Sequence, residues 1–215
     1  VASRRIKKRD LVQDQFFRVV ELVNLRFADN IAARMIITHG DEAQALFYPT
    51  VTGQLFEVIE EITDQLEPYS VRFGFGVGTL ITPLQNEAIG MDGVVWHRAQ
   101  EALQEAKKKK QPLRFSFPSP ALSALNALAN MLLVLSGGWT RQQKEVIKLT
   151  SKFATQREVA KYLGISPAAV SQRLHGAHYD LYKEGKEALA IFLGREINDL
   201  EKRKGLRKKL GISDE

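Results

Sequence analysis

Between Thr155 and His175 the sequence TQREVAKYLGISPAAVSQRLH leaves little freedom of local structure. Thr155, with Glu158 three residues on, forms a capping box and predicts a helix start. Gly164 supplies the left-handed residue that stops this helix. Ser166 and Pro167 then cap and open a second helix, because proline at the first helical position gives up an amide that has no intrahelical partner anyway. Ala160, Gly164 and Val170 meet three separate demands of a helix-turn-helix: a small residue where the helices cross, a glycine in the turn, and a branched apolar residue facing inward.

Stepping around the second helix at 3.6 residues per turn puts Val170 and Leu174 on its buried side. Ala168, Ala169, Gln172 and His175 then face outward, with Ser171 and Arg173 on the flanks. Such a face suits a recognition helix: the alanines let the backbone approach a groove, Gln172 matches adenine, and Arg173 reaches a phosphate or a guanine. The reading that follows has Lys152, Arg157, Lys161 and Arg173 holding the phosphates of double-stranded DNA, while Ser166, Ala169, Ser171 and Gln172 meet base edges. The competing reading is a helical hairpin that only packs.

Charge separates the two readings. Residues 1–135 carry 15 Lys and Arg against 15 Asp and Glu, whereas residues 136–215 carry 16 against 10 and so hold the whole net charge of +6. The tail residues Lys202, Arg203, Lys204, Arg207, Lys208 and Lys209 contribute to that excess. Within the motif region itself, Arg141, Lys144, Lys148, Lys152, Arg157, Lys161 and Arg173 are opposed only by Glu145 and Glu158. Basic charge confined to the half that carries the motif is what counterion release from a phosphate backbone requires.

Other classes are excluded more simply. The 215 residues contain no cysteine, which rules out a disulfide framework and thiolate metal sites and fits a reducing cytoplasm. No apolar run reaches the length of a bilayer span; the most apolar stretch, Ala121–Leu135, is interrupted by Ser123, Asn126 and Asn130. A soluble, cytoplasmic protein without membrane contact is therefore expected. There is no phosphate-binding Walker loop, no GxSxG elbow and no paired-histidine zinc motif, and His97, His175 and His178 lack ligand partners at metal-binding spacing.

The rest of the chain reads as alternating helices and strands. VASRRIKKRD is a basic segment that reads as a loop running into a helix, and its start at Val1 without methionine implies residues upstream. From Arg9 to Phe27 the residues Leu11, Val12, Phe16, Val19, Val20, Val23 and Phe27 recur at helical spacing. Ile31–Thr38 and Ala43–Tyr48 flank His39-Gly40-Asp41-Glu42, a β-hairpin with an acidic tip. An amphipathic helix follows from Val51 to Leu66. The run Ser70–Ile81 reads as a strand with Gly74, Gly76 and Gly78 on one face, open either to a closely packed helix or to a planar ligand such as a nucleotide. A helix over Val94–Lys110 and a strand over Leu113–Phe117 complete a mixed α+β layer. Ser119-Pro120 caps a further helix ending at Ser136-Gly137-Gly138, the expected hinge. Past the motif, Leu189, Leu193, Ile197 and Leu200 form one face of a long helix that either packs on the helix-turn-helix core or pairs with its equivalent in a homodimer.

HGDEAQALF, VRFGFGVGTL and GVVWHRAQEALQEAKKK resemble the SatD family of bacterial proteins over most of the chain. Their order over Arg9–Lys110 is also similar to the palm-type core shared by GGDEF diguanylate cyclases and class III nucleotide cyclases. The resemblance implies a palm-like, ferredoxin-like mixed sheet with helices on one face, and places Asp41 and Glu42 where a palm enzyme holds Mg²⁺ or Mn²⁺ against a triphosphate. Two carboxylates from separate strands are needed to steady the attacking and leaving oxygens. The resemblance puts the second in a Gly-Asp upstream of Val1. His39 and Ala43 depart from the GGDEF pattern, so Asp41-Glu42 reads as a solvated turn, as a nucleotide- or metal-binding remnant, or as an active site.

The domain plan expected from the sequence is a palm-like α+β domain over 1–118, a connecting helix and hinge over 119–138, and an all-α, wingless helix-turn-helix domain over 139–215. The leading functional expectation is a DNA-binding transcriptional regulator with a nucleotide- or metal-sensing N-terminal domain and no catalytic residue assigned. The alternative is a metal-dependent nucleotidyl cyclase or transferase with a C-terminal docking module.

Overall fold

The computed structural model describes residues 9–209; the basic opening segment read as a loop lies outside them. The architecture is mixed α and β. Among the described residues eight α-helices run α1 (Arg9–Arg26), α2 (Leu55–Gln65), α3 (Val94–Lys109), α4 (Leu122–Gly137), α5 (Arg141–Thr150), α6 (Gln156–Leu163), α7 (Pro167–Gly176) and α8 (Tyr179–Lys209). Four strands lie among them: β1 (Ile31–His39), β2 (Glu42–Phe47), β3 (Phe73–Gly76) and β4 (Leu113–Ser116). The chain forms two compact units, one of residues 1–126 with 190–215 and the other of 127–189, so the boundary falls inside α4 and α8.

In the first unit the helical spacing read from α1 becomes a core. Phe16, Val19, Val20, Val23 and Phe27 are buried against Val58, Ile62 and Leu66, with Ile31, Met35, Ile37, Ala43 and Phe47 of the hairpin packed on them. Leu11, expected on the same face, is exposed. The amphipathic helix starts at Leu55 rather than Val51, because Pro49–Gly53 forms a 3-10 turn first. The hairpin is antiparallel, and His39 opposite Glu42 leaves Gly40-Asp41 as its two-residue turn.

The expected single mixed sheet is instead two separate pairs, β1 with β2 antiparallel and β3 with β4 parallel. A side-chain amide meets the backbone of one strand in each pair, at the register irregularity of β1 between Ala33 and Ile36 and at the outer edge of β4. On β1, the Met35 N–H donates to Asn24 Oδ1 (2.7 Å) and the Met35 carbonyl accepts from Asn24 Nδ2 (2.9 Å). On β4, the Phe115 N–H donates to Asn126 Oδ1 (2.7 Å) and its carbonyl accepts from Asn126 Nδ2 (3.2 Å). Each asparagine thus imitates one residue of a neighbouring strand. The outer edge of β1 is met by chain: Arg34 N–H donates to the Asn86 carbonyl, and Ala88 N–H to the Arg34 carbonyl.

Helix α3 covers the glycine face of β3. A Cβ placed on Gly74 would come within 2.5 Å of the Ala99 carbonyl oxygen, and one on Gly78 within 2.5 Å of the Val95 nitrogen. Only residues without a side chain permit that approach. On the opposite side Phe73 packs into the α1–α2 core. Helices therefore lie on both faces of β3, not on one. The strand is also shorter than the Ser70–Ile81 expected, since beyond Gly76 the backbone is met by α3: Arg98 donates to the Val77 carbonyl at 2.6 Å. Arg114 of β4 clamps Glu105 of α3 (2.8 Å). The Glu105 carboxyl is held below its usual range, first by its hydrogen bond from Lys109 and, against a desolvation penalty, by Arg114.

The long C-terminal helix belongs partly with this unit. From Ala190 onward Leu193, Ile197 and Leu200 are buried, and Ser119 Oγ donates to Glu196 (2.5 Å), so the helix does not pack wholly on the α5–α7 core as expected. Ser119 Oγ also accepts from the Ala121 N–H, consistent with its reading as a cap. Among the described residues no single helix is long and apolar enough to cross a membrane; α4 and α5 together reach the length, but the chain bends by 113° between them.

Asn126 is 1% exposed, so replacing it strands a buried donor and acceptor. Asn126→Leu is expected to lower the unfolding free energy by about 1–3 kcal/mol in urea titration. A loss within error of zero would show that β4 needs no amide at its edge.

Candidate nucleic-acid interface

Three helices of the second unit fold around one small core. Val146 and Leu149 of α5, Val159 and Ala160 of α6 and Val170 of α7 are buried together, with Phe153, Leu163, Ile165 and Leu174 around them. Each helix start is fixed locally. Thr155 Oγ1 accepts from the Glu158 N–H (3.2 Å) while Glu158 Oε2 accepts from the Thr155 N–H (2.9 Å). Ser166 Oγ accepts from the Ala169 N–H (3.1 Å), and Pro167 opens α7.

Gly164 ends α6 in the left-handed region (φ +66°), and the Ile165 N–H returns to the Ala160 carbonyl (3.0 Å). That geometry needs the chain to reverse within three residues, which sets α7 across α6. Helix α5 begins with a second capping box, Thr140 with Gln143, that the sequence reading passed over although Thr140-x-x-Gln143 has the same form as Thr155-x-x-Glu158. Trp139 Nε1 donates to the Ala177 carbonyl (2.8 Å), and its ring meets Tyr182 edge-on at 4.7 Å, tying the start of α5 to the α7–α8 turn.

The outward face of α7 is open. Ser166, Ala168, Ser171, Gln172 and His175 are exposed and Val170 is buried, as the helical count requires. Ala169 and Arg173 are half-buried rather than fully outward, because α5 and α6 overlap the flanks of so short a helix. Lys152, Arg157 and Lys161 are exposed. None of these three, nor Arg173, forms an ion pair with a carboxylate among the described residues. Four cations without an acidic partner among the described residues, beside an uncovered polar helix face, can engage a polyanion without first breaking internal bonds. Tyr162, 67% exposed beside Lys161 and tilted against Phe153 at 5.3 Å, adds a hydroxyl that can donate to a phosphate. Its signal in the sequence was an aromatic at an outward position of α6.

The first unit offers less. Gly74 and Gly76, read as possible nucleotide contacts, face the backbone of α3, so on that side the close approach is taken by a helix and leaves no opening for a ligand. At the hairpin, Asp41 and Glu42 are half-buried, and Glu42 is ion-paired to Lys107 of α3 at 2.6 Å. Among the described residues no group of three or more His, Cys, Asp or Glu side chains is placed to hold a metal ion. Glu42 is thus held by a lysine of α3, while Asp41 sits in the turn of the hairpin.

The family model of the SatD family matches residues 1–192. The chain belongs to the SatD family. The match spans the hairpin, the glycine strand and the α5–α7 core alike, so the SatD family relationship covers both units. No curated protein and no solved structure matches the chain.

Two substitutions test how this SatD chain builds the α6–α7 pair. Thr155→Ala removes a cap and is expected to cost about 1 kcal/mol. Gly164→Ala meets nothing within 4 Å, so its expected cost of about 1–2 kcal/mol is that of the left-handed backbone alone. Thermal or urea unfolding of the purified variants reads both. Gly164→Ala as stable as the parent would show that the turn does not need φ +66°.

Proposed function

We propose that this SatD-family protein binds double-stranded DNA through a helix-turn-helix formed by α6 and α7, and acts as a transcriptional regulator. The observation that carries the reading is the uncovered face of α7 bearing Ser171 and Gln172, set beside exposed Lys152, Arg157 and Lys161. An exposed polar face is common to surface helices; what favours DNA is that this one stands beside cations with no acidic partner among the described residues. Here α7 enters the major groove with Gln172 reading an adenine edge. Lys152, Arg157, Lys161 and Arg173 hold phosphates and fix the register, and the Ser166 N-cap places the first turn of α7 against the duplex. The palm-like reading of the first unit rests on its order of helix, hairpin, helix, strand, helix and strand.

The test separates base contacts from phosphate contacts. A duplex selected from random sequence is titrated by fluorescence anisotropy against the full chain and two variants. Gln172→Ala is expected to lose about 1–3 kcal/mol of discrimination at one base pair while keeping its affinity for non-cognate duplex. Lys161→Ala is expected to weaken binding to all duplexes alike and to reduce the salt slope by about one. Identical profiles for the two variants would overturn these roles, and the lack of any salt-sensitive duplex binding would overturn the function.

A further inference from the structure

Along α7 the exposed side chains of Ala168, Ser171, Gln172 and His175 follow one another at three- and four-residue intervals, so they share one stripe of the helix. Ala169, expected to meet a base edge, is half-buried instead, and its N–H donates to the Ser166 hydroxyl at 3.1 Å. The exposed methyl group at the start of the stripe is therefore that of Ala168. The Ser166 hydroxyl oxygen, accepting the capping bond, has one lone pair fewer for a base.

The four kinds of base call for different side chains in the major groove. Guanine is matched best by Arg or Lys, cytosine by a carboxylate, adenine by the amide of Asn or Gln, and thymine by an apolar group laid on its C5 methyl. Among the described residues the stripe holds no Arg, Lys, Asp or Glu; Arg173, the one arginine of α7, is half-buried. What it does hold is the Gln172 amide and the Ala168 methyl, while Ser171 can serve any base pair. One helical turn separates Ala168 from Gln172, a rise of about 6 Å, which corresponds to about two base-pair steps of duplex. Because an alanine side chain ends at Cβ, the first turn of α7 can approach the groove until the two methyl groups touch.

We propose that Ala168 is a specificity-determining residue, and that α7 addresses a site of A·T pairs. The Ala168 methyl packs on the C5 methyl of a thymine that lies within about two base pairs of the adenine read by Gln172. This assignment rests on the DNA-binding reading of α6 and α7 and adds to it the class of base pair selected.

Exchanging thymine for deoxyuridine, position by position in a duplex selected from random sequence, removes the C5 methyl and keeps every hydrogen-bonding group. Anisotropy titration of the full chain is expected to find a thymine near the Gln172 contact at which the exchange weakens binding about fourfold, the worth of one buried methyl. Ala168→Gly is expected to bind the thymine and uracil duplexes equally, and to bind non-cognate duplex as the parent does. A second comparison needs no variant protein: with that pair replaced by cytosine–guanine, methylating the cytosine at C5 is expected to tighten binding by about the same factor. A parent indifferent to the methyl at every thymine, an Ala168→Gly variant that keeps the preference for thymine, or a selected site of G·C pairs would each overturn the role of Ala168 and leave DNA binding standing. The lack of any salt-sensitive duplex binding overturns the DNA-binding reading itself, and this assignment with it.

Discussion

Backbone groups that a short strand leaves unpaired must find partners, and in the first unit two buried asparagines provide them. Asn24, projecting from α1, takes both the N–H and the carbonyl of Met35; Asn126, projecting from α4, does the same for Phe115. An amide side chain offers one donor and one acceptor in the geometry of a peptide unit, so it can end a sheet without leaving a polar group unpaired. The same bonds tie α1 and α4 to the strands by direction as well as by apolar contact, which greasy packing alone does not supply.

A second constraint comes from absent side chains. Gly74, Gly76 and Gly78 allow the backbone of α3 to lie directly on β3, and this contact decides that a helix occupies the glycine face. Lys107 of that helix reaches Glu42 on the hairpin, so the acidic tip is engaged with a cation of the chain itself. The polar, uncovered face of α7 lies in the second unit. There the work of the core is to hold three short helices at fixed starts. Capping boxes at Thr140 and Thr155, the Ser166 cap and the Gly164 turn do so with bonds spanning three or four residues.

Much of this was legible in advance. Helix starts at Thr155 and Ser166, the Gly164 stop, the buried Val170 and the hairpin around Gly40-Asp41 all stand where the residue pattern put them. Thr140-Gln143 was equally legible and was missed. Asn126 and Asn130 were seen only as breaks in an apolar run; the role of Asn126 depends on Phe115, which nothing in the local pattern connects to it. The glycine stripe was read with two occupants open, and only the position of α3 decided between them. The C-terminal helix was read with two partners open, the helix-turn-helix core or its equivalent in a homodimer; Glu196 meets Ser119, so its second half sits with the first unit.

The residue pattern by itself determined the starts of α6 and α7, the Gly164 stop and the buried side of α7, because caps, turns and periodic faces are interactions between residues close along the chain. It also determined the charge imbalance between the halves. The tertiary structure alone decided that the outward face of α7 stays uncovered, that α3 fills the glycine face, and that lysine neutralises Glu42. Each of those outcomes joins or separates groups far apart along the chain, where packing of whole elements, and not local preference, sets the free energy.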